Sequence, residues 1–422
     1  MSIIQFYLRK YRTAEILVAI SFFCFGLFPV LPNQLKGLPV VLLLVFSIIL
    51  AVKDKSFTKI KKSELLLITI FSGLYIMYAV SLLYSEDIKT GLRRMETCAS
   101  LIVIPFSFLL LKTSVNYKPY FILFSKVFFW STTVFSLLIN LYFFQLGYYS
   151  GEMSLYESLS WMDHEMWLFK QHAIYASMFI SIGLILSKFI INIQSVFNKV
   201  VIILAIIINT YVLFLLLRKG VIIALLVSLL IFVFWKFKTS KLKVILPLLS
   251  VLLIAGMVFK EPVFKRLEEV WNPETYKNLD IDNSTSMRFA IYKCVFEDIK
   301  QSPVIGHGVG DGYDLIASCL KDNYEVVFTD TKEKKNSHNQ FFGILLYTGI
   351  LGLSIFLVQL FIYFSRSIKI KDSIMLEFLA FFTVLFFVEN LLDRQSGVIM
   401  FTFLVNAYYF SRDSSKKMTG NG

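Results

Sequence analysis

The apolar residues of this chain arrive in uninterrupted runs. LPVVLLLVFSIILAV (Leu38 to Val52), VVIILAIIINTYVLFLLL (Val200 to Leu217) and FFGILLYTGILGLSIFLVQLFIYF (Phe341 to Phe364) contain no charged residue. About 20 such residues, wound as a helix, cross the hydrocarbon layer of a bilayer, whereas a soluble helix is apolar along one stripe only. Of the 422 residues 57% are hydrophobic and 17% charged, against about 25% charged in ordinary soluble domains. The pattern dictates an all-α polytopic membrane protein.

About twelve transmembrane helices are expected, near residues 14–31, 38–52, 65–83, 98–111, 121–144, 173–191, 200–217, 221–235, 244–259, 341–364, 374–391 and 398–410. Arg9, Lys10 and Arg12 precede the first run as they would in a secretory signal. No small-residue cleavage site follows, so a retained first span is expected. The net charge of +13 is spread in short clusters between apolar runs, which fits membrane topology better than a nucleic-acid-binding face.

Those clusters orient the set. With the N-terminus inside, the basic segments at 9–12, 53–62, 236–243, 366–371 and 412–417 all fall on the cytoplasmic side. The short inside segments then carry roughly 22 Lys and Arg and the outside ones roughly eight, as the positive-inside rule requires. Both termini are expected in the cytoplasm. Three parts follow: spans one to nine over 1–259, an extracytoplasmic loop over 260–337, and spans ten to twelve with a cytoplasmic tail over 338–422.

The loop alone has soluble composition. Within it DNSTSMRFAIYKCVFEDIKQSP reads as an amphipathic helix, with Met287, Ile291, Val295 and Ile299 as its apolar stripe and Pro303 as its stop. GHGVGDG (Gly306 to Gly312) lacks the Lys-Ser/Thr ending of a phosphate-binding loop and reads as a flexible turn, His307 within it being a second-choice base. Cys294 and Cys319 share the loop, and their spacing leaves open whether they pair.

Polar residues at the outer ends of spans are the candidates for chemistry. Arg218 and Lys219 occupy a tight hairpin, either as snorkelling anchors or as an anion site. Arg288 opens the loop helix, where helix end and guanidinium together attract a phosphate unless Asp282 offsets the charge. Ser337 and Gln340 have capping-box spacing, which puts His338 in the first turn of the span that follows, neutral and able to accept a proton. Glu389 and Asp393, a helical turn apart beside Arg394, line a cavity or pair with Arg218 or Arg288. Asp163, His164 and Glu165 are adjacent residues that do not share a helix face, a poor metal site.

LLLRKG with Arg218, MRFAIYKCVFEDIKQSPVIGHGVGDG with Arg288, SHNQFFGILLYTGILGL with His338 and ENLLDRQSGVIMF occur in an order and on a common side that resemble the O-antigen ligase and polymerase superfamily. KQHAIYASMFI around His172 looks like a segment of the same family. The resemblance implies a GT-C-like glycosyltransferase of the bacterial inner membrane with a periplasmic active site. It implies an undecaprenyl-pyrophosphate-linked glycan donor and a lipid A-core or lipid-linked glycan acceptor, with inversion at the anomeric carbon. No metal, nucleotide sugar or other cofactor is implied, and no nucleic acid; membrane lipids are the surroundings. His338 would take the acceptor proton, Arg288 and Arg218 would hold the pyrophosphate, and Lys219, His172, Asn339, Glu389 and Arg394 would contact substrate. Ligase, polymerase and a transporter of lipid-linked oligosaccharides remain the three readings, the outer-end clustering of charge favouring surface chemistry over transport.

Overall fold

A computed structural model of the chain describes residues 13–112, 118–167, 169–190, 195–236, 284–324 and 335–411. Among these residues the secondary structure is helical, with no strand. In chain order the helices are α1 (Thr13–Gly26), α2 (Leu38–Lys53), α3 (Lys62–Phe71), α4 (Gly73–Ser81), α5 (Ile88–Cys98), α6 (Ser100–Leu111), α7 (Lys118–Gln145) and α8 (Leu155–His164). They continue as α9 (Ala173–Leu186), α10 (Val196–Leu215), α11 (Lys219–Lys236), α12 (Ser284–Gln301), α13 (Gly312–Tyr324), α14 (Gln340–Lys369), α15 (Ser373–Val388) and α16 (Gln395–Ser411).

Six stretches are long and apolar enough to cross a membrane: Asn33–Lys53, Ile88–Leu111, Lys118–Gln145, Val196–Leu215, Lys219–Lys236 and Gln340–Lys369. The bent pair Lys62–Phe71 and Gly73–Tyr84 makes a seventh if counted as one span. The chain is a multi-pass helical membrane protein, with fewer such stretches among the described residues than the twelve expected. The expected spans at both 14–31 and 173–191, and the one at 374–391, form apolar helices of only 10–17 residues. The expected span at 244–259 lies outside the described residues, as do the basic clusters at 9–12, 238–243 and 412–417 and the loop residues 260–283 and 325–334. The run at 98–111 is lengthened by α5, whose polar residues hydropathy alone had assigned to a connection.

Two compact units emerge, one of residues 1–68, 102–225 and 395–422, the other of 69–101 and 226–394. In the first, α1 and α7 approach closely because Gly26 has no side chain; a Cβ there would lie 2.6 Å from Val127 Cβ. Phe403 of α16 stacks on Phe25 at 3.8 Å and meets Phe22 and Phe124 edge-on at 5.4 and 5.0 Å. Asn209 of α10 accepts from Ser136 (2.7 Å) and donates to Thr133 (3.0 Å), both on α7. Left unpaired, that buried amide would cost about 1–3 kcal/mol. Lys36, buried ahead of α2, donates to Gln171 and to Ser396 (3.2 Å) and lies over the rings of Phe28 and Phe179.

The second unit is organised by a break in α14. Gly349 adopts φ 60°, ψ −161°, a conformation open essentially to glycine alone. The break frees backbone groups about 14 Å along the helix, at 1.5 Å per residue, where lipid offers them no partner. Residues 303–308 supply the partners. His307 and Gly308 donate their N–H groups to the carbonyls of Leu346 (2.9 Å) and Tyr347 (3.0 Å), while Ile350 and Leu351 donate to the carbonyls of Pro303 (2.9 Å) and Val304 (3.3 Å). The far end of this strap is held too: Val309 and Gly310 donate to Ser81 and Ser85, and Asp311 accepts from Glu86 and Asp87. GHGVGDG is therefore not a flexible turn, as its glycines suggested, but a docked one. A similar repair serves the junction of α3 and α4, where Gln359 donates to the carbonyl of Phe71 at 3.1 Å.

The loop helix forms as expected over Ser284–Gln301, burying Met287, Ile291 and Val295. Cys294 and Cys319 are joined in a disulfide that ties α12 to α13 across a separation of 25 residues. Replacing both by alanine is expected to lower stability by about 3.5 kcal/mol, the loop-closure value for that separation. Thermal unfolding with and without reductant, and mobility on a non-reducing gel, measure it.

Candidate active site

His338 sits in the turn immediately before α14, with φ 45°. The left-handed region is sparsely used by residues other than glycine and costs about 1–2 kcal/mol. The capping box read from Ser337 and Gln340 does not form. Asn339 is the N-cap, its side chain accepting from Phe341 N (2.9 Å) and Phe342 N (3.2 Å) and donating to the Phe387 carbonyl (3.3 Å). Gln340 instead accepts from Leu392 N at 2.7 Å. His338 thus lies outside the first helical turn, and its neighbours Ser337, Asn339 and Gln340 all turn inward and are buried. The imidazole remains partly exposed, with Nδ1 3.7 Å from Glu389 Oε2.

Glu389 is presented by the end of α15. That helix stops at Val388 and Glu389 is extended, φ −155°, ψ 148°. Glu389 and Asp393 are therefore not a helical turn apart, and they serve different partners. Asp393, 1% exposed at its side chain, pairs with Arg94 of α5 (3.7 Å) and accepts from Tyr347 (3.1 Å), Tyr313 (3.4 Å) and Asn390 (3.3 Å). The Arg94 guanidinium lies 4.0 Å from the Tyr347 ring centre and 4.7 Å from that of Tyr313. The ion pair anticipated for Asp393 exists, but its partner is Arg94 and not one of the two arginines expected from sequence. Burial pushes the Tyr313 hydroxyl up to about 12, Asp393 adding to the effect and Arg94 and Arg394 opposing it.

Arg288 is exposed on α12, a turn before Tyr292. Tyr292 packs edge-on against Phe342 of α14 at 5.6 Å. Burial raises the pKa of the Tyr292 hydroxyl, with Arg288 lowering and Glu389 raising it, so both charges act on one phenol. Glu389 thus acts on both the His338 imidazole and the Tyr292 phenol, whose own helix carries Arg288 one turn earlier. His307 turns its Nε2 to the Asp298 carbonyl at 2.7 Å, a structural contact; burial raises the Asp298 carboxyl pKa there. Arg394 is exposed after the turn at 391–393.

The remaining candidates belong to the first unit. Arg218 precedes α11 and caps it through its carbonyl, which accepts from Val221 N (3.0 Å) and Ile222 N (3.2 Å), with Lys219 opening the helix. Leu217 before them has φ 50°, so the hairpin is tightly turned. His172 is the N-cap of α9, accepting at Nδ1 from Ile174 N (3.3 Å), and its Nε2 lies 3.9 Å from Asp163. Among the described residues no group of three His, Cys, Asp or Glu side chains could hold a metal ion.

An imidazole held beside a carboxylate suits proton transfer, and an exposed guanidinium such as that of Arg288 suits contact with an anion. Residues 202–357, which include Arg218, Arg288 and His338, match a protein-family model described as O-antigen ligase. No curated protein matches the sequence.

Proposed function

We propose, for a chain that belongs to the O-antigen ligase superfamily, that His338 is the general base of a glycosyl transfer from a lipid-linked donor. The observation that carries this reading is the one partly exposed member of SHNQ: three neighbours are consumed by structure, while the histidine is held in an unfavourable backbone conformation beside a carboxylate. Strain of that kind survives where function keeps it.

In the proposed reaction an acceptor hydroxyl attacks the anomeric carbon of a glycan on undecaprenyl pyrophosphate. The C–O bond to pyrophosphate breaks with inversion, and the acceptor proton passes to His338. Glu389 stabilises the imidazolium that results, as a carboxylate partner does for a histidine base. Arg288 binds the departing pyrophosphate, the planar guanidinium matching two phosphate oxygens. Arg394 is left as a contact to sugar, and Asn339 acts by capping α14. No step calls for a metal or a cofactor. The acceptor is the lipid A-core, and the site faces the periplasm from the inner membrane with both termini cytoplasmic; the disulfide between Cys294 and Cys319 supports an oxidising compartment for the loop.

Reconstitution tests it. Purified protein in liposomes, given the lipid-linked glycan and lipid A-core, should form the glycosylated acceptor without another enzyme. Transfer onto a second lipid-linked unit instead would make it a polymerase, and movement across the bilayer with no new bond would make it a transporter. Arg288→Lys in the same assay should lose about tenfold to a hundredfold in kcat/KM, the worth of one charge-assisted hydrogen bond. Unchanged turnover would reduce Arg288 to a surface charge.

A further inference from the structure

Asn390, fully buried, connects the turn bearing His338 to the Arg94–Asp393 pair. Its Oδ1 accepts from Asn339 N at 2.7 Å and from Ser337 Oγ at 3.0 Å, the residues on either side of His338. Its Nδ2 donates to Asp393 Oδ2 at 3.3 Å. A carboxylate only accepts, so Asp393 can be served by the amide nitrogen and not by the amide oxygen. Asp393 therefore fixes which way the Asn390 amide faces, and the oxygen is left toward the turn. Asp393 also pairs with Arg94 and accepts from the hydroxyls of Tyr347 and Tyr313.

We infer that Asn390 is a positioning residue for His338, its amide orientation set by the buried Arg94–Asp393 pair. Clamping positions 337 and 339 leaves residue 338 no freedom to relax from φ 45°, and the imidazole stays beside Glu389. The relay runs from α5 through the 389–393 segment to the head of α14. This inference rests on the reading of His338 as the base.

The test exchanges the two polar groups. Asn390→Asp places a carboxylate against Asp393, where neither can donate, and should turn the clamp away from the turn. The expected result is a fall in kcat of about a hundredfold, the effect of misplacing a reacting group by an ångström, with KM for the lipid-linked donor unchanged. Adding Asp393→Asn restores one donor facing one acceptor and keeps a single negative charge near Arg94, and should recover most of the loss. Ser337→Ala removes one arm of the clamp at constant fold and should lower kcat alone, by about tenfold for one hydrogen bond; it serves if the exchanged protein does not fold. A folded Asn390→Asp variant with normal kcat overturns the inference, as does an exchange no more active than the single variant, or a Ser337→Ala variant with normal kcat. His338→Ala measured alongside separates the two claims: normal turnover there removes the base itself, whereas its inactivity with a fully active Asn390→Asp variant removes only the positioning role.

Discussion

Replacing His338 by glycine is expected to abolish glycan transfer while leaving the protein as stable as before, or more so. The two effects have one origin. At φ 45° the histidine backbone is strained, and glycine adopts that region without penalty, so the folded state should gain about 1 kcal/mol less the entropy glycine loses on folding. Loss of a general base removes about 10²–10⁴ of rate. His338→Ala should lose activity equally and gain no stability, since alanine keeps the strain, and His338→Asn should tolerate the conformation without the basic nitrogen. Reconstituted transfer rates and thermal unfolding in detergent, on the same preparations, give both quantities. A glycine variant that is inactive because it is unstable contradicts the account of the strain, and an active one contradicts the account of the base.

The second large effect is expected at Gly349. A Cβ there would collide with the backbone of Val304 and lie 2.6 Å from Ile305 N, in a conformation only glycine adopts. Strain of about 1–3 kcal/mol and overpacking of similar size both apply, so Gly349→Ala should destabilise by about 3 kcal/mol or more. Gly306 faces it with φ 72°, and a Cβ there would meet Thr348 N and Tyr347 C at 2.5 Å, so Gly306→Ala should behave alike. Gly151 is the control: its φ is 83° but nothing lies within 4 Å of a Cβ, and alanine there should cost only about 1 kcal/mol. Equal melting temperatures for the Gly151 and Gly349 variants would show that the strap does not fill the break tightly.

Features that depend on neighbours in sequence were legible. The apolar runs named the class, the stripe on α12 and its stop at Pro303 located the loop helix, and the position of His338 ahead of an apolar run located the candidate base. The assembly of the site was not legible, because its polar partners are distant in the chain. Asn390 reaches Asn339 across 51 positions and Tyr347 reaches Asp393 across 46. Serine followed three residues later by glutamine is a local signal for a cap, yet Gln340 finds Leu392 N instead and Asn339 takes the cap. Arg94 illustrates the same limit: LRRMETCAS gives no sign which of two adjacent arginines is solvated, and Arg93 is exposed while Arg94 is buried. The family segment at 202–357 ends before Glu389 and Asn390, so the residue beside the imidazole and the one that clamps its turn, both just after α15, lie beyond it.

The strap of residues 303–308 also carries a consequence for biogenesis. It leaves the ribosome about 40 residues ahead of the helix it completes, since chains emerge N-terminal end first. The earlier segment is thus already available when the two halves of α14 enter the bilayer, and the exposed amides and carbonyls around Gly349 can be matched as they arrive. A circular permutation that moved 303–308 to the end of the chain would keep every native contact but reverse that schedule, obliging a defective helix to wait in lipid for its missing piece.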